Sequence, residues 1–220
     1  MKVGVDAVLL GAWVSSGGER VLDVGTGCGV ISLILAQRFP DTKIDAIDID
    51  RPSVEEASLN FKNSPWELRL NCYGREFPKD LSVESHSYDL VVSNPPFFNS
   101  GIKTPATPRE KARHQEHLSI FSLIEYSPGI LKEGGRLAMI YPLEFHEGAL
   151  KKAGEKGFDL IRECKVRGNK NRPFKRVISE FSRGDLAQNH RIEREELILF
   201  EGDEPTEEYR SLCKDFYLKF

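Results

Sequence analysis

Little in this sequence points to disulfides, bound metal or a membrane. Its four cysteines, Cys28, Cys72, Cys164 and Cys213, lie far apart, a spacing that indicates neither a zinc site nor a disulfide framework. No run approaches the roughly 18 apolar residues of a spanning helix. No basic-then-apolar leader opens the chain, so a cytoplasmic location without a membrane partner is expected. An excess of one charge is also missing, since 31 Lys and Arg against 34 Asp and Glu leave −3. That argues against indiscriminate nucleic-acid binding by the whole surface and leaves local patches open. Internal repeats and low-complexity linkers are lacking too, and 220 residues with 40% hydrophobic and 30% charged content fit one larger globular domain.

What the chain has is an alternation of strand-like and helix-like stretches. Residues 6–14 read as a short helix with Asp6 as N-cap, ended by Gly17-Gly18. Arg20-Val21-Leu22-Asp23-Val24 reads as a buried parallel strand, and Gly25-Thr26-Gly27-Cys28-Gly29 as a tight turn opening a helix over 30–39. Strands follow at 42–48, 67–73, 88–93 and 136–141, with helices at 52–62, 118–131 and 144–156 between or after them. Residues 158–166 and 177–182 are two more strands, and 192–200 a late one. Tyr209, Phe216, Tyr217 and Phe220 are expected to pin the tail to the core.

The glycine spacing separates two cofactor classes. A dinucleotide fingerprint is G-x-G-x-x-G, but here the glycines fall as G-x-G-x-G behind Asp23, and Val30 occupies the third position of that fingerprint. The turn instead resembles the S-adenosylmethionine loop of Rossmann-like methyltransferases. Gly25, Gly27 and Gly29 let backbone approach a ligand, and the amides around Thr26 suit its carboxylate. Asp48, with Ile49 beside it, closes the next strand where an acid accepts both ribose hydroxyls. Asp50 is assigned to the helix start because Pro52 sits at N1. After the third strand this class usually carries an Asp that holds the cofactor's adenine amine; the register here gives Arg75, with Glu76 beside it.

Asn94-Pro95-Pro96-Phe97 ends the fourth strand, because two prolines cannot continue a ladder. In isolation these residues fit a proline-stopped strand with a surface Asn and a core Phe. Set beside the glycine turn they fit a site at the strands' carboxyl ends. The Asn94 side-chain oxygen and the Pro95 carbonyl can accept both hydrogens of a planar exocyclic amine, with Phe97 stacked on the base.

Two charged stretches follow. Residues 103–117 carry Lys103, Arg109, Lys111, Arg113, His114 and His117 against Glu110 and Glu116. They read either as a lid or as a plain solvated loop, and two histidines without a third ligand do not make a metal site. The stretch 165–176 holds six cations, Lys165, Arg167, Lys170, Arg172, Lys175 and Arg176, with Phe174 among them and no acid. Cations on a hairpin track a phosphate backbone and an interleaved aromatic stacks on an unpaired base, so this is the expected RNA-binding element.

Residues 1–13, the glycine loop, Asn63-Ser64-Pro65-Trp66, Ser93-Asn94-Pro95-Pro96-Phe97-Phe98, the basic hairpin and Asp215-Phe216-Tyr217-Leu218-Lys219 together resemble the tRNA1(Val) (adenine-N6)-methyltransferases. The resemblance implies an α/β, Rossmann-like class I methyltransferase fold with a seven-stranded, mostly parallel sheet and an antiparallel last strand. It implies S-adenosylmethionine as cofactor, no metal, and methylation of adenosine 37 in the anticodon loop of a tRNA; a monomer is expected. Members usually carry a hairpin ahead of Lys2-Val3-Gly4 that this sequence does not show, so a single domain over 1–220 without it is expected. Similar Asn-Pro-Pro motifs serve guanine N2 in ribosomal RNA and glutamine side chains in proteins. Those readings, and an RNA-binding module without activity, stay open at this point.

Overall fold

Val21 and Leu22 are consecutive, both are fully buried, and they belong to different cores. Side chains alternate across a strand, so the strand that carries them must be covered on both faces. A computed structural model describes residues 4–81, 86–96, 118–184 and 191–218. Its strands are β1 (Arg20–Val24), β2 (Lys43–Asp48), β3 (Leu70–Gly74), β4 (Tyr88–Ser93), β5 (Leu131–Pro142), β6 (Phe158–Asn169), β7 (Arg176–Arg183), β8 (Glu193–Glu201) and β9 (Glu204–Pro205). They form one sheet in the order β3-β2-β1-β4-β5-β7-β6-β8-β9.

Helices α1 (Val5–Trp13), α2 (Val30–Arg38), α3 (Arg51–Lys62) and α6 (Glu207–Cys213) cover the face that carries Val21, Ile44, Leu90 and Ile140. The other face, with Leu22, Val91 and Leu137, is covered by α4 (Ile120–Ile130) and α5 (His146–Glu155). Leu9 and Leu10 on α1 are fully buried. Truncating either to Ala would cost about 2–5 kcal/mol, the scale of lost transfer energy plus a cavity.

Local chemistry explains where several helices start. Asp50 caps α3 by accepting from the Ser53 amide at 3.0 Å, with Pro52 in the first turn. Ser119 and Ser122 form a reciprocal capping box at α4. Asp6 does not cap α1. Gly4 holds that position, and the Asp6 carboxylate instead meets the Arg176 guanidinium at 2.9 Å.

The class I fold read from the sequence is present, with two strands more than the seven expected. The antiparallel strand lies inside the sheet: β7 runs against both β5 and β6. A hairpin whose return strand pairs inward leaves the outer edge of β6 open. The next strand, β8, pairs with that edge in parallel, and β9 closes on β8 in antiparallel. Phe216 and Tyr217 pack against the core as expected, beside the buried Tyr209. Phe220 and Lys219 lie outside the described residues, as do residues 97–117 with Phe97 and the candidate lid.

Candidate active site

From β1 the chain steps outward to β2 and β3 on one side and then to β4 and β5 on the other, so the switch point of the sheet lies between β1 and β4. Open α/β sheets bind ligands at such a point, outside the strands' carboxyl ends. Asp23 is in register with Val92, and the Ser93 hydroxyl donates to the Val24 carbonyl at 2.7 Å. The glycine turn after β1 and Asn94 after β4 are therefore neighbours on one rim.

Internal hydrogen bonds shape the turn. The amides of Gly25 and Thr26 donate to the Ile47 carbonyl at 2.9 and 3.1 Å. Asp48 joins two elements: one oxygen accepts from the Gly27 amide and the other from the Asp50 amide, both at 2.9 Å. A carboxylate oxygen offers about two acceptor sites, so each keeps capacity for a ligand hydroxyl. Gly29, at φ +84°, caps α2, and a Cβ there would lie 2.5 Å from the Phe61 ring. Only glycine satisfies both conditions without strain.

Asp23 lies below this turn and is 0% exposed. Its Oδ2 accepts from the hydroxyls of Thr26 at 2.7 Å and Ser32 at 2.6 Å, while its Oδ1 has no hydrogen-bond partner among the described residues. Burial pushes its carboxyl up to about 6, with the Ser32 and Thr26 hydrogen bonds acting in the opposite direction. The group thus holds the loop from underneath.

A cavity of about 440 Å³ opens above. Gly25, Gly27, Asp48 and Ile49 line one side, Arg75, Glu76 and Phe77 another, and Asn94, Pro96 and Leu118 the third. A Cβ on Gly25 would come within 2.6 Å of Leu118, so the turn and the residue opposite define a narrow gap. Of the candidate cofactor residues, Gly25, Gly27, Asp48, Ile49 and Asn94 face this cavity; Asp23, Thr26 and Gly29 do not line it. Pro95 is buried. Asn94 Oδ1 is buried with no hydrogen-bond partner among the described residues, an acceptor left over by the fold. Arg75 donates its amide to the Asp48 carbonyl at 3.1 Å and lays its guanidinium 4.9 Å from the Tyr73 ring centroid. Phe77 and Leu118 are walls that sequence reasoning misses. Phe77 sits outside regular structure, where periodicity gives no signal, and Leu118, read from the sequence as the start of a helix, precedes that helix by two residues and faces the cavity instead.

Arg176 is in register with Pro142 at the end of β5, which puts the basic hairpin on the same rim as the cavity. Its cations are not equivalent. Lys170 meets Glu201 at 2.5 Å, Arg176 meets Asp6, and Arg167 lies 4.6 Å over the Phe174 ring. Lys165 is half-buried within β6, whereas Arg172 and Lys175 are exposed. Among the described residues no group of three or more His, Cys, Asp or Glu is placed to hold a metal ion, and no helix is long and apolar enough to cross a membrane.

Fold and site together define a Rossmann-like class I methyltransferase. The family model described as methyltransferase small domain matches residues 6–152. A tRNA1(Val) (adenine(37)-N6)-methyltransferase from Flavobacterium johnsoniae is 39% identical over 224 residues, covering 100% of this chain and 93% of its own. One from Vibrio vulnificus is 36% identical over 220 residues, covering 100% and 90%. The chain belongs to the methyltransferase small domain family and, within it, to the family of tRNA1(Val) (adenine(37)-N6)-methyltransferases. Among solved structures, that of a predicted O-methyltransferase from Agrobacterium tumefaciens aligns with a TM-score of 0.72 over 96% of each chain at 16% identity. At that identity the likeness concerns the fold alone.

Proposed function

We propose that this protein transfers a methyl group from S-adenosylmethionine to N6 of adenosine 37 in the anticodon loop of a tRNA, acting as a monomer in the cytoplasm. The observation that carries the reading is the buried Asn94 Oδ1, unpartnered among the described residues, at the mouth of a cavity whose opposite wall is the Gly25–Gly27 turn. The full-length likeness to the adenine-N6 enzymes supports the choice of base.

The residues present fit the cofactor. Asp48 keeps acceptor capacity for ribose hydroxyls, Ile49 is 66% exposed beside it and offers an apolar surface to a base, and a side chain at Gly25 would fill the cradle. When bound, the cofactor supplies a methyl carbon on a sulfonium, a leaving group that departs with its electron pair as a neutral thioether.

The chain's own part is positioning and polarisation. Asn94 Oδ1 and the Pro95 carbonyl accept the two N6 hydrogens of adenine and turn its nitrogen lone pair toward the methyl carbon. As the N–C bond forms, the extra N6 proton leaves to solvent. The target base must first be unstacked, which costs a few kcal/mol. Phe97, outside the described residues, is the group assigned to stack on it. Lys165, Arg167, Lys170, Arg172, Phe174, Lys175 and Arg176 form the proposed RNA-binding hairpin.

The test is mass spectrometry of nucleosides after incubating small RNA with enzyme and labelled cofactor. Label in N6-methyladenosine is the expected result. Label in N2-methylguanosine, or no labelled nucleoside, would overturn the assignment of the substrate.

A further inference from the structure

Along the carboxyl rim, β5 lies between β4, which leads into Asn94, and β7, which follows the basic hairpin. Neighbouring strands are about 4.8 Å apart, so β4 and β7 are separated by about 10 Å. An RNA strand with its target base at Asn94 and its backbone against the hairpin has to cross the end of β5 in that interval. Just past the end of β5 lies an aromatic pair.

A short turn, Leu143–Phe145, follows Pro142 directly. Phe145 packs edge-to-face against Phe121, with centroids 6.5 Å apart and planes at 89°. Phe121 stands in the first turn of α4, just beyond the cavity-lining Leu118, and is 41% exposed. An exposed Phe alone needs no explanation; its position on this track does. The turn is tied to the hairpin by the Leu143 amide, which donates to the Lys175 carbonyl at 3.0 Å.

A polar relay, buried except at its Arg194 end, flanks the turn. Tyr141 Oη bonds with His146 Nδ1 at 3.0 Å and with Ser179 at 2.9 Å. His146 Nε2 reaches Glu163 at 2.8 Å, and Arg194 closes on the other Glu163 oxygen at 3.0 Å. These bonds hold Tyr141 and His146, which bracket the turn, while the Phe121 ring itself rests on Phe145 and on α5 at Gly148, where an added Cβ would lie 3.4 Å from it. A ring packed on two sides loses little freedom when a ligand arrives.

We propose that Phe121 presents a stacking face to the unpaired base adjacent to the target adenosine, with Phe145 setting the angle of that face. The inference rests on the RNA-methylating function proposed above and extends it to the flanking nucleotide. Base–aromatic stacking tolerates any base, so the platform would hold the loop open beside the target without choosing its sequence.

The test uses the full chain and an anticodon stem-loop with 2-aminopurine on either side of the target. Wild-type protein should quench the probe at one flank. Phe121→Ala should lose that quenching and raise KM about tenfold with kcat within about twofold, the scale of removing one stacked base. Phe121→Trp should restore both, and the melting temperature of each variant controls for folding. Equal quenching by wild type and Phe121→Ala, or no quenching at either flank, would overturn the platform. A wild type that transfers no methyl to the stem-loop would overturn the proposed function instead, and the quenching comparison would still decide the platform.

Discussion

Ser93 and Val24, 69 positions apart in the chain, are joined by a buried 2.7 Å hydrogen bond between the hydroxyl of one and the carbonyl of the other. The bond fixes the spacing between the turn after β1 and Asn94. Ser93→Ala leaves a buried carbonyl without its donor, which costs about 1–3 kcal/mol. A fall of several degrees in melting temperature is expected, together with a lower kcat/KM from the loosened rim. An unchanged melting curve would show that the two strand ends hold their spacing without it.

Asn94→Ala should reduce kcat on the order of a hundredfold, the scale of one oriented polar interaction in the transition state. Cofactor affinity, read by calorimetry, should stay within a few-fold, because the turn and Asp48 are untouched. Full turnover in this variant would remove Asn94 from the chemistry.

Asp23 gives a pH prediction. Its carboxyl titrates near 6 in the folded protein against an ordinary value of 3.8. Folding therefore favours the protonated form. The resulting stability is complete below about pH 4 and is lost as pH rises through about 6. Asp23→Asn is neutral throughout and keeps an oxygen for Thr26 and Ser32. The wild type should thus lose on the order of 2–3 kcal/mol relative to this variant between about pH 4 and 7.5, measured by urea unfolding. A pH-independent difference would mean that Asp23 titrates as an ordinary carboxyl.

The ion pairs on the hairpin rank its cations. Lys170 already faces Glu201, whereas Arg172 is exposed and forms no ion pair among the described residues. Arg172→Glu should therefore weaken RNA binding and flatten the slope of log affinity against log salt by about 0.7–0.9 for each phosphate no longer neutralised. Lys170→Glu should do so by less. Filter binding between roughly 50 and 200 mM salt reads both, and unaltered slopes would take the hairpin out of the interface.

Much of this arrangement is legible in the sequence because it depends on short-range rules. Asp23 and the glycines announce a turn at a strand end, and two prolines stop β4 at Asn94. Asp50 and Pro52 mark the start of α3. Pairings between distant segments leave no such trace. Asp6 resembles an N-cap because its place before an apolar run allows it, yet its partner is Arg176, 170 positions away. The two-residue β9 has no period to read. Phe77 and Leu118 become walls only when the ends of β3 and β4 are brought together by the sheet.

Asp48 has a final consequence. Because its carboxylate is already bonded to the amides of Gly27 and Asp50, the two loops that would flank a nucleoside are stapled to one another by the chain itself. Arrival of a ligand adds bonds to a finished frame, so association should proceed close to the rate of encounter, and residence time should depend on what the ligand contributes.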